Sequence, residues 1–495
     1  MLHLSLLLAC TELPLDEEVA PTEEPPPAAE DSAVPDTDTG EAATPAGPIT
    51  AFDAVAIEGF DTVLRVSWQQ DTDGTTWLSF RDDGGAWLES PPTPTAAGPA
   101  EQLILGVTYD ADVEYRIVLE QDGERWTTPT QQLRTAPPPP DLPQATILAS
   151  DPTLWDTTAP YLITSMNAVG DSRYGVWWVF VMDRDGDIVW AQRGEEDWVS
   201  RHVSVSHDGT RLLVDRNTAW TLFDGGAAST ILELSLDGTV HHTYTTPGLH
   251  HPFVPLPDGA LAWGARDGRS ETIESVDRSG VQTHIWDCES LHGIRPTGGG
   301  SNGDGVVTPD NNKNDKENND TPSYCGSNAL WWHAESDHFL FSFWSTETIV
   351  EVDRPTGELV RSFGHYEGSW DFSPPGTAFW WQHGATFTDA GTLLVSSKNA
   401  SGGDETIVRE YTLDADKRRL VSIWSFGQGR GIYGAFMGEA HRLPSGNTLH
   451  TYGSGGHMAE ATADGEVAWE ADWGHDQHNG RTTVWSDLYA LLPQP

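Results

Sequence analysis

The chain has 495 residues, with 27 Lys and Arg against 75 Asp and Glu, for a formal net charge of −48. A field of that sign repels phosphate backbones and excludes nucleic acid as a partner, and the length exceeds what one ordinary core serves, so two or more domains are expected. Glycine (49), proline (33) and tryptophan (22) are abundant, and segments of 3.6-residue periodicity are hard to find, which points to an all-β chain rich in turns.

Residues 1–10, MLHLSLLLAC, resemble a bacterial lipoprotein signal. Leu7-Leu8-Ala9-Cys10 matches the lipobox, so residues 1–9 would be removed and Cys10 lipidated; only the α-amine and His3 stand in for a basic n-region. An ordinary signal peptide or a mis-set start is the alternative. The expected location is outside the cytoplasm, lipid-anchored in a bacterial outer membrane and facing the periplasm or the cell surface. Beyond that anchor no stretch is long and apolar enough to span a membrane. Residues 10–48, rich in Pro, Glu, Asp, Thr and Ala, read as a disordered acidic tether.

Residues 49–136 alternate in the manner of strands. Leu64 to Trp68 and Val113 to Leu119 are two of them, with a turn at Asp122-Gly123. The segment resembles a fibronectin type III sandwich, with Trp68 and Tyr115 at that family's core positions; another β-sandwich of the same size is the alternative. Residues 137–143, PPPPDLP, read as a stiff linker.

Residues 144–495 carry an internal repeat of strand, glycine turn, strand. Its copies are VMDRDG from Val181, ELSLDG from Glu233, SVDRSG from Ser275, EVDRPTG from Glu351, EYTLDAD from Glu410 and EATADG from Glu460. Six units, each long enough for four short strands, predict a six-bladed β-propeller after the N-terminal sandwich, its first blade completed by a C-terminal strand near Thr483 to Leu491. A β-helix or two sandwiches are the alternatives. A second repeat precedes the first: RHVSVSHDGTRLLVD from Arg201, HHPFVPLPDGALAWG from His250, QHGATFTDAGTLLVS from Gln382 and EAHRLPSGNTLHTYG from Glu439. It brings His202, His250, His251, His383 and His441 to corresponding places, with His292 as a further candidate. Residues just before an inner strand converge on one mouth of a propeller.

Cys288 and Cys325 flank a polar insertion, 289–324, and would pair in an exported protein; two free thiols are the alternative. Within the insertion Asn302, Asp304, Gly305 and Asp310 echo half of a Ca²⁺ loop, but Gly300 occupies the first ligand position and no Glu the twelfth. A solvated loop is the expectation, and no other cofactor or metal is implied.

Three stretches resemble the arylsulfotransferase family: WWQHGATFTDAGTLLVSSKN from Trp380, NALWWHAESDHFLFSFWSTETIVEVDRPTGELVRSFG from Asn328, and AHRLPSGNTLHTYGSGGHMAEATADGEVAWE from Ala440. The resemblance implies transfer of a sulfuryl group from an aryl sulfate to a phenol through a sulfohistidine. A neutral imidazole attacks sulfur, and His or Arg donors hold the oxygens. It implies catalytic roles for His383, His251 and His441. Substrate-binding roles would fall to His202, His250, His292, Trp380, Trp381, Gln382 and Asn328, with one of the tryptophan pair facing the ligand. The sequence departs from the family at Ser397 to Gly403, which lacks the expected sulfate-binding arginine, so that Lys398 or Arg409 would substitute. It departs again at Tyr324 to Ser327, where Asp-Trp-x-His is expected. A propeller that binds a glycan or aromatic ligand without catalysis is the alternative. The natural donor and acceptor and the oligomeric state are left open.

Overall fold

The computed structural model describes residues 47–196, 198–218, 226–267, 270–291, 325–366 and 368–493. Cys10, the acidic segment, His292 and the Asn302, Asp304 and Asp310 set lie outside the described residues. Apart from four short 3-10 turns, every regular element described is a strand.

Residues 49–134 form two antiparallel sheets. One contains Ile49–Ile57, Phe60–Gln70 and Gly98–Ile104; the other is built on Gly74–Asp82 and Asp112–Gln121. Their inner faces share one core in which Trp68 and Tyr115 are both buried. The linker 137–143 does not separate independent bodies, for residues 47–495 make one compact unit. Phe60 stacks on Trp190 at 5.5 Å, and Thr62 Oγ1 donates to the Val189 carbonyl.

Residues 146–485 form six further sheets, taken here in order of their first long strand. The first holds Tyr161–Asn167, Trp177–Met182 and Ile188–Arg193; the second Val203–Val205 to Val240–Thr245; the third Leu249–Pro255 to Gln282–Asp287. The fourth runs from Ser327–His333 to Leu359–Gly364, the fifth from Trp380–Phe387 to Arg419–Phe426, and the sixth from Glu439–Arg442 to Val467–Asp472. The fifth sheet has one parallel addition, Asp371–Ser373 on Arg419–Phe426. All six copies of the first repeat fall on the same hairpin, between the third and fourth strands counted from the inner edge. The glycine of that turn takes positive φ, 91° at Gly186 and 83° at Gly238, where a Cβ is strained.

No sheet of this kind covers its own faces, so each is buried by its neighbour. Apolar clusters lie between the first and second sheets, the second and third, the third and fourth, the fourth and fifth, and the fifth and sixth. Another lies between the sixth and the first, and includes Leu162, Phe180, Met458 and Trp469. The same pair is tied by Trp469 Nε1 donating to the Arg184 carbonyl at 2.7 Å and by the buried Arg184–Glu460 ion pair at 3.0 Å. Both chain ends also join this pair. Thr483–Trp485 pairs with Tyr161–Asn167 as the inner edge of the first sheet, and Thr146–Ser150 pairs with Val467–Asp472 as the outer edge of the sixth. The expected C-terminal strand is therefore present as Thr483–Trp485, while Leu488–Leu491 turns into a 3-10 segment.

Cys288 and Cys325 are disulfide-bonded across a separation of 37 residues, as their flanking positions predict.

Candidate functional site

The inner strands of the third, fourth and fifth sheets share one irregularity at their N-terminal ends. Pairing to the next strand breaks between Leu249 and Phe253, between Ser327 and Ala329, and between Trp380 and Gly384. Extra residues at such breaks leave the ladder and point their side chains out of the alternation. The residues released are His250 and His251, Asn328, and Trp381 to His383.

His383 lines two neighbouring spaces, which also share His251 and Met437. The inner one, about 20 Å³, has a mixed lining that includes His202, His251, Asn328, His383, Glu439 and Arg481. The outer one, about 370 Å³, is aromatic and lined by Trp344, Trp381, Tyr174 and Phe436 together with Arg173, Arg201, His251 and His383. Only the outer space has room for an aryl ring.

The ring of His383 is set by its own strand. Its Nδ1 lies 3.2 Å from the Trp381 carbonyl, which can only accept, so Nδ1 carries the proton and Nε2 keeps its lone pair. Burial, opposed by that hydrogen bond and assisted by the Lys398 charge, brings its pKa down to about 4. Above that pH the imidazole is neutral, as a nucleophile must be. His251 is held neutral as well: burial, then the neighbouring His250, His202 and Arg201, lower it well below the usual value. Its ring lies 4.5 Å from that of His250 and 6.2 Å from that of His202.

The other predicted residues take varied places. His202 lines the inner space, and its backbone N–H donates to Asp215 Oδ1 at 2.8 Å. His250 turns away to Glu271, with Nδ1 3.2 Å from Oε1, and supports His251 from behind. His441 lines neither space; its Nε2 lies 3.1 Å from Glu439, which does. Burial opposes ionisation of Glu439, but His441 and Arg481 outweigh it and bring its pKa to about 2, so this carboxylate is charged.

Of the tryptophan pair, one faces the cavity. Trp381 lines the outer space at φ 50°, while Trp380 packs against His365 at 4.3 Å. Gln382 lines neither space. It is fully buried, and its amide donates to Ser342 Oγ, the Phe343 carbonyl and the Thr348 carbonyl. Its main-chain carbonyl accepts from Asn328 Nδ2, which fastens the fourth sheet to the fifth beside His383. Neither expected substitute for the missing arginine lines the cavity. Arg409 is spent on the Ala378 and Asn399 carbonyls, and Lys398 Nζ lies over the Trp381 ring at 4.2 Å.

The cavity's cations come instead from Arg201, Arg481 and Arg173. Arg201 is 2% exposed, donates to the Arg173 carbonyl at 2.8 Å, and lies over Trp177 and Tyr174. Burial and the charge of Arg173 lower its pKa to about 9, so it stays cationic at neutral pH and gains from an anion. Arg481 donates to the Phe253 carbonyl at 2.9 Å and lies near Glu439, with Nε 3.7 Å from Oε2. Arg201 heads the repeat copy that carries His202 and could have been found beside it. Arg173 and Arg481 lie in connecting segments outside both repeats, where the sequence gives no such signal.

The arylsulfotransferase (ASST) family description matches residues 161–489. No curated protein matches the chain. Among solved structures, a protein of unknown function from Bacteroides caccae is 15% identical over 63% of this chain and 93% of its own, with a TM-score of 0.39. A virginiamycin B lyase from Staphylococcus aureus is 11% identical over 69% of this chain and 99% of its own (TM-score 0.34). The Kuenenia stuttgartiensis hydrazine synthase is 8% identical over 59% and 74% (TM-score 0.36). At these scores the structural likenesses carry no argument. The family match spans about two thirds of the chain, from the first strand of the first sheet to the C-terminal 3-10 turn, and encloses every side chain of the cavity: the chain belongs to the arylsulfotransferase family.

Proposed function

We propose that the protein is an aryl-sulfate sulfotransferase working through a sulfohistidine at His383, on a six-bladed propeller closed by its first and sixth sheets and preceded by a fibronectin III-like sandwich. The observation that carries the reading is His383 itself. It is a neutral imidazole with Nδ1 tied to its own backbone, at the floor of an aromatic cavity large enough for one aryl ring.

The donor's ring lies among Trp344, Trp381 and Phe436, held by stacking. Its sulfuryl oxygens accept from Arg201, which takes the place of the arginine missing from Ser397 to Gly403. Nε2 of His383 forms the N–S bond as the S–O(aryl) bond breaks, and the phenolate leaves. The adduct is a good donor because the ring nitrogen carries positive charge. A phenolic acceptor then attacks sulfur, the N–S bond breaks, and its proton passes to His251, whose ring burial keeps neutral. His202 and His250 flank His251 and set its environment; His441 acts on Glu439 and so positions Arg481. Donor and acceptor use the same vestibule in turn.

Export with a lipid anchor at Cys10, and the acidic tether, belong to the same proposal and rest on sequence alone. A binding-only propeller draws on the arginine missing after Leu393–Lys398; the two buried arginines facing the cavity weigh against it. The test is acceptor-dependent release of 4-nitrophenol from 4-nitrophenyl sulfate. His383→Ala is expected to remove it, by about 1,000-fold or more for loss of a covalent nucleophile. Release that persists in both His383→Ala and His251→Ala would sink the assignment.

A further inference from the structure

The outer space has a charge that the rest of the molecule does not prepare. The chain holds 75 acidic residues against 27 Lys and Arg, yet among the described residues two arginines and no carboxylate line this cavity. They stand at different depths. Arg201 lies beside His251 and is buried. Arg173 also lines the open groove outside, which Tyr174 and Phe436 share, so it marks the outer end of the aromatic slot. Its guanidinium lies over Phe436 at 4.6 Å and donates to the Tyr174 hydroxyl, and it makes no ion pair among the described residues. Its carbonyl receives Arg201 Nη2, which couples the two arginines in position.

One aryl sulfate carries a single negative charge. Once that charge is set against Arg201 at the histidines, the ring lies between Trp381 and Phe436 and Arg173 is left facing the ring's far edge. Two guanidiniums converging on one low-dielectric cavity repel each other, and a ligand with an anion at each end relieves both. We propose that Arg173 is a second anion-binding residue of this cavity, and that its preferred substrates are phenolic carboxylic acids and their sulfate esters, with the carboxylate on Arg173 and the sulfuryl group at Arg201 and His383. This rests on the sulfotransferase reading for the chemistry, but not for the binding. Lys398, which does not line the cavity, is the competing nearby cation, held over Trp381 at 4.2 Å and Tyr433 at 5.2 Å.

The experiment compares phenyl sulfate with 4-sulfooxybenzoate as donors, whose leaving phenols are of similar basicity. kcat/KM is expected to favour the carboxylate by about tenfold or more, the size of one charge-assisted hydrogen bond, with the gain in KM. In Arg173→Met the ratio should fall to about one, and Arg173→Lys should restore part of it. In Lys398→Met the ratio should persist. A wild-type ratio near one overturns the proposal, as does a preference that survives Arg173→Met or is lost only in Lys398→Met. Calorimetry with 4-hydroxybenzoate and phenol separates the two claims. If neither sulfate is turned over, the sulfotransferase reading falls, while tighter binding of 4-hydroxybenzoate that disappears in Arg173→Met still supports the second anion site. Equal binding of the two phenols refutes it.

Discussion

Gly384 follows His383 and must be glycine. A Cβ there would lie 2.7 Å from Glu439 Cα, main chain of the sixth sheet that cannot yield as a flexible side chain does. Gly384→Ala is therefore expected to push the fifth and sixth sheets apart. Thermal unfolding should show a loss on the order of 1–3 kcal/mol, with activity lost more steeply than stability. Trp381 (φ 50°) and Met437 (φ 66°) are left-handed residues that line the same cavity, and each such conformation costs about 1–3 kcal/mol. The histidines also set a pH dependence. His383 has a folded pKa of about 4 and His450 about 3, both below the ordinary 6.5, so between those values the unfolded chain binds protons that the native one refuses. Stability contributed by these neutral rings is present above about pH 6.5 and is lost as pH falls toward 4, measurable as a falling denaturation midpoint. kcat/KM should show an acid limb near pH 4, where His383 protonates, and not near 6.5.

At the scale of strands and turns, the hairpins were legible and the site only in part. Each copy of the first repeat ends in a turn set by local chemistry, so six turns could be placed by reading. The same holds for Trp68 and Tyr115, whose alternating strands face one core. The breaks at Leu249–Phe253 and Trp380–Gly384 interrupt alternation, which is why Gln382 read as a ligand contact when its amide fills a slot in the fourth sheet. Arg173 and Arg481 belong to connections with no repeat to mark them, and only the folded chain brings them to His383. The disulfide makes a separate prediction. Cys288 to Cys325 closes a loop of 37 residues, and removing it by Cys288→Ser with Cys325→Ser should lower stability by about 3–4 kcal/mol, read from denaturant midpoints with and without reductant.

Across the whole molecule, the first and sixth sheets are tied directly to each other. They share an apolar cluster, the Trp469–Arg184 hydrogen bond and the Arg184–Glu460 pair, and each takes a strand from the other end of the chain. The Arg481 main-chain N–H donates to the Arg201 carbonyl two residues before the C-terminal strand, so the contact between the first and sixth sheets and the cation of the cavity are linked. Deleting residues 483–493 should therefore abolish activity and broaden thermal unfolding, whereas an open array would lose only one edge strand. The central claim, that His383 receives the sulfuryl group, is tested most directly by mass spectrometry after brief incubation with 4-nitrophenyl sulfate without acceptor. A sulfuryl increment on the peptide containing His383, discharged when a phenol is added, is the expected result; an unmodified His383 in an enzyme that turns over, or an adduct on another residue, would contradict it.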